Sequence, residues 1–416
     1  MIFTILGGGS AYAPGLIAAL IHHRERIALT EVRLFDIDRA RLDVVARLAA
    51  GMARGQFVVR AMESLDRAIS GSDAILNSTR PGGLEARQKD EEVPVSLGIP
   101  GQETVGPGGF FFALRSVPAA LEVADMIERL APKAWLLNYT NPTNIVTQAL
   151  VTHGGVRVLG LCDQSDGDLH VLGEAVSGKA PSRISFLSTG TNHGTWYSSI
   201  AFDDQPFPAV PSEFHSVEHH DEEHAIRFSR SIELAREVAG SGLWPNSYLP
   251  YYTHPADFVA LSQRIGSRAA VILEKLPTYY RHFEEEAAKD EPALRHHRGG
   301  SNFGDMAVEV LAALTRPAGQ RLVLNIPNLG AAPGYDPDTV VETVISLTPK
   351  GVVRLPGPVI PSAFASLHTR MERYQREAAI AAAGTDRSRW IAALALNPLV
   401  GSEEVAAKLI DARLGE

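Results

Sequence analysis

The chain is predicted to be an α/β protein, with an N-terminal doubly wound domain of mostly parallel strands and a mixed α+β C-terminal domain. Three observations predict this. A short apolar run at residues 2–6 stops at Gly7, as a buried parallel strand does. Strand-like and helix-like patterns then alternate as far as Cys162. Beyond Cys162 the regular alternation fades.

Taken in order, a helix is expected from about Pro14 to His23, and Glu31 to Asp36 reads as a second strand that ends in an acid. Arg39 to Ala53 is helical, with Leu42, Val45, Leu48 and Ala49 on one side. Asp73–Asn77 is another strand. Residues 80–109 are rich in Gly and Pro with charges between, and read as a long loop of the kind that carries function. A helix over 117–130, a strand over 134–138, a helix over 144–151 and a strand over 158–162 complete the first half. Further on, Ile184–Leu187 and Arg321–Ile326 read as strands, 333–359 as turn-rich and the remainder as helical. The domains are expected to divide as 1–170 and 171–416.

At 416 residues the chain is long enough for two cores. Its 45% hydrophobic and 21% charged content is ordinary for a globular protein. A formal net charge of -9 argues against nucleic acid or an anionic membrane as the main partner, since both need basic surface. The single cysteine, Cys162, rules out an intrachain disulfide and favours a cytoplasmic setting. There is no apolar run long enough to span a bilayer, and the N-terminal run lacks the length and basic flank of a secretory signal.

Gly7-Gly-Gly9-Ser10-Ala-Tyr12 lies between the first strand and the first helix. Gly7 and Gly9 fill the first two positions of a G-x-G-x-x-G dinucleotide fingerprint, and Tyr12 stands where the third glycine would be. Such a turn lets a pyrophosphate approach the backbone and sit at a helix N-terminus. Asp36 is placed to bond a ribose hydroxyl, which favours NAD over NADP. The competing reading is a Gly-rich turn of an unrelated α/β protein, but the flanking elements and the acid argue against it.

The chemistry must come from elsewhere. Cys162 falls at the end of a strand, where ligands bind in doubly wound sheets. One thiolate and one imidazole make a partial metal site with coordination left open for substrate, and His193 is the best imidazole candidate. A lone cysteine is otherwise a small buried hydrophobe, and His193 otherwise a hydrogen-bonding residue. Asp163 reads as a general acid, a ligand or a helix N-cap. Tyr248 can act as a base only if its surroundings alter its acidity, and Tyr248–Tyr252 is otherwise aromatic packing. Arg87 and Arg268 suit an anionic substrate group, with surface arginine the alternative for each.

Several segments, in order, resemble glycoside hydrolase family 4. They are Arg87–Arg115, with Lys89-Asp-Glu-Glu, Gly101-Gln-Glu-Thr and Pro107-Gly-Gly-Phe-Phe; Pro132-Lys-Ala-Trp-Leu-Leu-Asn-Tyr-Thr-Asn-Pro through Gly160-Leu-Cys162; Asn192-His193; Tyr248-Leu-Pro-Tyr-Tyr252; Arg298-Gly-Gly300; and Asn325-Ile-Pro-Asn-Leu-Gly330. The resemblance implies the lactate/malate dehydrogenase type of fold. It also implies a redox route that departs from two-carboxylate glycoside hydrolysis. In that route NAD+ takes hydride from C3 of the sugar, which acidifies C2. A divalent metal, usually manganese, binds the C2 and C3 oxygens. A base takes the C2 proton, the aglycone leaves C1, water adds and the hydride returns.

Residue by residue, the resemblance makes Cys162 and His193 the metal ligands and Tyr248 the base. Glu103 becomes the acidic group that raises the basicity of that tyrosine, and Gly7, Gly9, Ser10, Tyr12 and Asp36 become the cofactor site. Arg87, Asn141, Arg268 and Arg298 match substrate-binding positions. Asp163 matches the acid that protonates the leaving oxygen in 6-phospho-α-glucosidases. β-Specific members often carry Asn there, so Asp163 tilts the expectation to an α-glycoside. A homodimer or homotetramer is expected on the same basis.

The residues after Asp163, the Thr191-Asn-His-Gly-Thr-Trp segment and Ser301-Asn-Phe-Gly-Asp305 depart from the commoner family patterns. They bear on the C6 substituent. A 6-phospho-α-glucoside is the first expectation; an α-galactoside, a hexuronide, a C6-sulfonated sugar or a 6-phospho-β-glucoside are alternatives. Two more distant readings are a 2-hydroxy-acid dehydrogenase and a non-catalytic NAD-binding protein. Neither gives a reason for Cys162, His193 and Tyr248 to occur together.

Overall fold

The computed structural model of the chain describes residues 1–207, 209–295, 302–316 and 318–415. Six strands, β1 (Ile2–Leu6), β2 (Glu31–Phe35), β3 (Val58–Ala61), β4 (Ala74–Asn77), β5 (Trp135–Asn138) and β6 (Arg157–Gly160), run parallel. Their order in the sheet is β3-β2-β1-β4-β5-β6, so the winding reverses between β1 and β4. A second sheet combines β7 (Ile184–Thr191), β8 (Gly194–Phe202), β9 (Gln205–Pro206) and β10 (Trp244–Pro245). The chain then returns to the first sheet. Strands β11 (Gln320–Pro327), β12 (Val340–Thr348) and β13 (Gly351–Arg354) extend it antiparallel beyond β6 to nine strands.

The helices of the first half are α1 (Ala13–His22), α2 (Arg39–Ala53), α3 (Leu65–Ile69), α4 (Gly83–Ser96), α5 (Pro107–Leu130), α6 (Thr143–His153) and α7 (Gln164–Ser177). Those of the second half are α8 (Glu222–Glu237), α9 (Pro250–Thr253), α10 (Pro255–Ile265), α11 (Arg268–Ala287), α12 (Asn302–Ala313), α13 (Ala365–Ala382), α14 (Arg387–Ala395) and α15 (Glu403–Leu414). Side chains alternate across the central strands, so the sheet buries both faces. Phe3, Ile5 and Leu76 face a core that includes Leu16, Leu42, Leu276 and Leu311. Leu6 and Ile75 face the opposite core, with Phe110, Val117, Ile145, Tyr374 and Leu409. Helices α11–α15 thus cover a sheet whose parallel strands all come from the first half of the chain. A third cluster packs Leu169, Tyr197 and Trp244 against Val323 and Val344, seating the second sheet on β11 and β12.

Two segments differ from the sequence expectation. Within residues 80–109, read as loop, lies helix α4, and α5 begins at Pro107. The usual apolar stripe is missing from α4, because the residues it buries include Arg87, Asp90 and Glu91. Segment 333–359, read as turn-rich, contains β12 and β13. Strand β12 is buried on both faces and includes Glu342, so a polar residue interrupts the apolar run. Among the described residues no helix is long and apolar enough to cross a membrane.

Gly160 is where the parallel sheet accepts its antiparallel extension, with Asn325 opposite it in β11. A Cβ on Gly160 would lie 2.7 Å from the Asn325 Cβ and 2.5 Å from Thr147 Oγ1. Gly160→Ala is therefore expected to destabilise the fold by about 1–3 kcal/mol, the usual cost of overpacking. Urea denaturation would read this as a lower midpoint at unchanged slope; an unchanged midpoint would show that β11 gives way freely.

Candidate active site

The carboxyl ends of β1, β4, β5 and β6 open into one cavity of about 380 Å³. It lies at the winding reversal, where ligands bind in doubly wound sheets. Gly7, Gly9, Ser10, Tyr12 and Asp36 line one part of it; Glu103, Asn141, Cys162, Asp163, His193 and Tyr248 line another.

The nucleotide end is built by the turn after β1. Gly7 has φ +84°, and a Cβ there would meet the Ser78 carbonyl oxygen at 2.8 Å. The turn is tied to β2 through Gly7 and Gly8 amides that donate to the Phe35 carbonyl at 3.0 and 2.9 Å. Asp36 accepts from the Gly9 amide at 2.9 Å and from the Asp38 amide at 3.0 Å, which fixes its carboxylate beside the turn. The Tyr280 hydroxyl, from α11, donates to the Gly9 carbonyl at 2.7 Å. The buried Ser10 Oγ has no protein partner. A glycine turn at a strand end, an unpartnered hydroxyl and a fixed acid on the next strand suit a dinucleotide.

At the other end Cys162 Sγ lies 3.5 Å from His193 Nε2. Ligand bonds of about 2.0–2.3 Å at a tetrahedral angle span about this distance, so both groups suit one divalent ion. Cys162 stands two residues past β6. His193 is the second residue of the tight β7–β8 hairpin and adopts φ +62°, an uncommon conformation for histidine. Burial, with the Arg227 charge, pushes His193 down to about 3, so it is the neutral imidazole that a metal needs. Burial, with the Glu342 and Asp163 charges, raises the Cys162 thiol well above its ordinary value; a bound cation favours the thiolate. No group of three or more His, Cys, Asp or Glu with metal-binding geometry occurs among the described residues. Two protein donors leave the remaining coordination open.

Behind this pair Glu342 is wholly buried. Ser165 Oγ donates to it at 2.6 Å, and the side-chain amides of Asn192 and Asn325 donate as well. Burial pushes Glu342 up to about 7. Its bond to Asn192 anchors the hairpin that presents His193.

Glu103 organises the third part of the cavity. It accepts from Arg80 at 2.7 Å and from the Asn141 amide at 3.1 Å, and pairs with Arg87 Nη1 at 3.1 Å. Arg87 also donates to Glu91 at 2.7 Å. Although burial opposes the Arg87 charge, Glu103 and Glu91 hold its pKa above the ordinary value. Arg87 is not itself among the lining residues and reaches the cavity through Glu103. Asp163 lines the cavity at the start of α7, and burial raises its carboxyl. The Tyr248 ring stacks on His193 with centroids 3.9 Å apart and planes 4° apart. Burial pushes the Tyr248 hydroxyl up, while Arg227 pulls it back.

Of the expected substrate residues, Asn141 lines the cavity. Arg268 does not; it opens α11 as a half-exposed side chain paired with Asp221 at 3.0 Å. Arg298 lies outside the described residues. Sequence reasoning missed Arg80, Arg227, Tyr280 and Glu342. Arg80 carried a usable signal, since it follows β4 in the same way that Cys162 follows β6. The other three come from elements whose approach to the cavity is decided by packing.

The sequence profile of Family 4 glycosyl hydrolase matches residues 2–177, and that of the Family 4 glycosyl hydrolase C-terminal domain matches residues 188–400. The chain is 29% identical to a probable 6-phospho-beta-glucosidase of Bacillus subtilis (strain 168), over 98% of this chain and 94% of the relative. It is 27% identical to 6-phospho-alpha-glucosidase 1 of Lacticaseibacillus paracasei, over 84% and 82%. A crystal structure of a 6-phospho-alpha-glucosidase from gut microorganisms, in complex with NAD and Mn2+, superposes with TM-score 0.90 at 24% identity, covering 100% of this chain and 97% of that one. A lactate dehydrogenase from a deep-sea metagenome library superposes with TM-score 0.55 at 12% identity, over 91% and 98%, which bears out the expected kinship of fold. With both profiles matched in order along most of its length, the chain belongs to glycosyl hydrolase family 4.

Proposed function

We propose that the protein hydrolyses a glycoside phosphorylated at C6, with preference for the α-anomer, by transient oxidation of the sugar at C3. The observation that carries this reading is the convergence of two sites on one cavity: the Gly7–Gly9 turn and the Cys162–His193 pair, 3.5 Å apart. The C6 phosphate is supported by the substrates named for the relatives, and the α preference by Asp163.

When bound, NAD+ takes up and returns the C3 hydride, and a divalent metal, manganese by the family's habit, polarises the neighbouring sugar oxygens. The Gly7–Ser10 turn, Tyr12 and Asp36 hold the nucleotide. Cys162 and His193 hold the metal. Tyr248, as the phenolate, receives the proton from C2. Asp163, whose carboxyl burial raises above its ordinary value, gives its proton to the leaving oxygen. Asn141 orients the sugar, and Glu103, fixed by Arg80 and Arg87, supplies negative charge on the base side of the cavity.

The direct test is release of p-nitrophenol from paired α- and β-hexosides, with and without C6 phosphate, in the presence of NAD+ and Mn2+. Release that needs both cofactors and is fastest for the 6-phospho-α-glucoside is expected. Cofactor-independent release would sink the redox route, and faster release from the β-anomer would remove the role of Asp163. Cys162→Ser is expected to weaken Mn2+ binding by roughly 100-fold or more, since even residues behind the ligands are worth 10–100-fold. Calorimetric titration of the NAD+-loaded protein checks this, and unchanged affinity would exclude Cys162 as a ligand. Asp163→Asn should slow α-glycosides with poor leaving groups by about 10²–10⁴-fold while sparing activated aryl glycosides. Equal slowing of both would leave Asp163 without an acid role.

A further inference from the structure

Arg227, on α8, is 4% exposed. A buried guanidinium normally makes close ion pairs and uses its whole hydrogen-bonding fork. This one does not. Its carboxylate partner, Glu223, is 3.6 Å from Nε, and Nε–H has no hydrogen-bond partner among the described residues. One arm donates to Ser247 Oγ at 2.9 Å. The carbon of the guanidinium lies 4.3 Å over the centroid of the Tyr248 ring.

A desolvated, loosely paired cation is costly to keep, and stability alone gives a weak reason for it. The groups around it are those that place Tyr248. The Ser247 amide donates to Asp168 at 2.9 Å, and Gln164, which follows Asp163, donates to both Asp168 and Ser247. Arg227 therefore joins α8 and the turn before α9 to the helix that starts beside Asp163. The Tyr248 ring lies against three planar groups: the His193 imidazole and the Arg227 guanidinium, at 3.9 and 4.3 Å, and more distantly the Tyr251 ring at 5.7 Å. Together they fix the tilt of the ring and hence the position of its oxygen. The guanidinium keeps its charge throughout, so it adds constant positive potential at the end of the cavity where proton removal takes place.

We infer that Arg227 is a positioning residue for proton transfer from C2 of the sugar, acting by holding the Tyr248 ring against His193. The inference rests on the assignment of Tyr248 as the base. In the step concerned, Tyr248 acts as the phenolate: the C2–H bond breaks and its proton goes to the phenolate oxygen. The electron pair forms C1=C2, and the C1–O bond breaks with its pair on the leaving oxygen. That oxygen takes the Asp163 proton. Arg227 gains and loses nothing.

The test uses the full-length enzyme with NAD+ and Mn2+, and substrates deuterated at C2 or at C3. For Arg227→Met, kcat is expected to fall about 10²-fold, the scale of a misplaced catalytic group, with KM little changed. The C2-deuterium isotope effect should rise as proton removal becomes limiting, while the C3 effect falls. Arg227→Lys should recover part of the rate. In Arg227→Gly, added guanidinium ion should restore rate where equimolar urea does not. A loss of kcat that leaves both isotope effects unchanged, or rescue by urea as good as by guanidinium, would mean a packing role only and overturn the inference. Full activity in Arg227→Met would overturn it as well. The wild-type enzyme run in parallel separates the two levels. Aglycone release without C2 exchange with solvent would refute Tyr248 as base, and this inference with it, whatever the variants do.

Discussion

The part of the cavity away from the glycine turn depends on the buried carboxylate of Glu103. It receives Arg80 from the end of β4, Asn141 from the end of β5 and Arg87 from α4. The ends of two neighbouring strands and a helix thus converge on one acceptor group. Removing one partner of such a buried network costs about 3–5 kcal/mol, because the remaining charges lose their compensation. The same network explains why α4 carries charges on its buried side. Its inward residues complete an ion cluster, and Glu91 extends that cluster to the Ala269 amide at the start of α11 at 2.8 Å.

The donor pair obeys a related constraint. Cys162 and His193 come from different sheets, and each is placed by a backbone feature. Cys162 follows β6, whose last residue must be glycine to let β11 approach. His193 sits at positive φ in a two-residue hairpin. Glu342 links these features, because it accepts from Asn192 of the hairpin, from Asn325 opposite Gly160 and from Ser165 of α7. The antiparallel extension of the sheet is therefore part of the scaffold that holds the Cys162–His193 pair.

The two halves of the chain also meet at the nucleotide end. Tyr280 of α11 donates to the Gly9 carbonyl, while Arg41 lies 4.9 Å over the Tyr280 ring. A helix from the second half thus closes a turn formed by the first. The boundary expected near residue 170 marks a change of pattern along the chain; in space, the second half supplies strands to one edge of the first sheet and helices to both of its faces.

The sequence by itself determined what depends on short-range pattern. The Gly7–Gly9 turn, Asp36 at the end of β2 and Cys162 after β6 follow from the periodicity of strands and helices and from glycine's tolerance of φ > 0. Residue chemistry singled out His193, Tyr248 and Asp163 as candidates; the family resemblance chose among their roles and added Glu103, and all four line the same cavity. Helix α4 was hidden because its buried side is ionic, so no apolar period announces it. Strand β12 was hidden because a buried acid interrupts its apolar run. Only the tertiary structure decided that Arg227 lies over the Tyr248 ring while Arg268 lies half-exposed against Asp221. The reason is physical: the role of a charged side chain depends on which distant groups desolvate and pair it, and no local pattern encodes that.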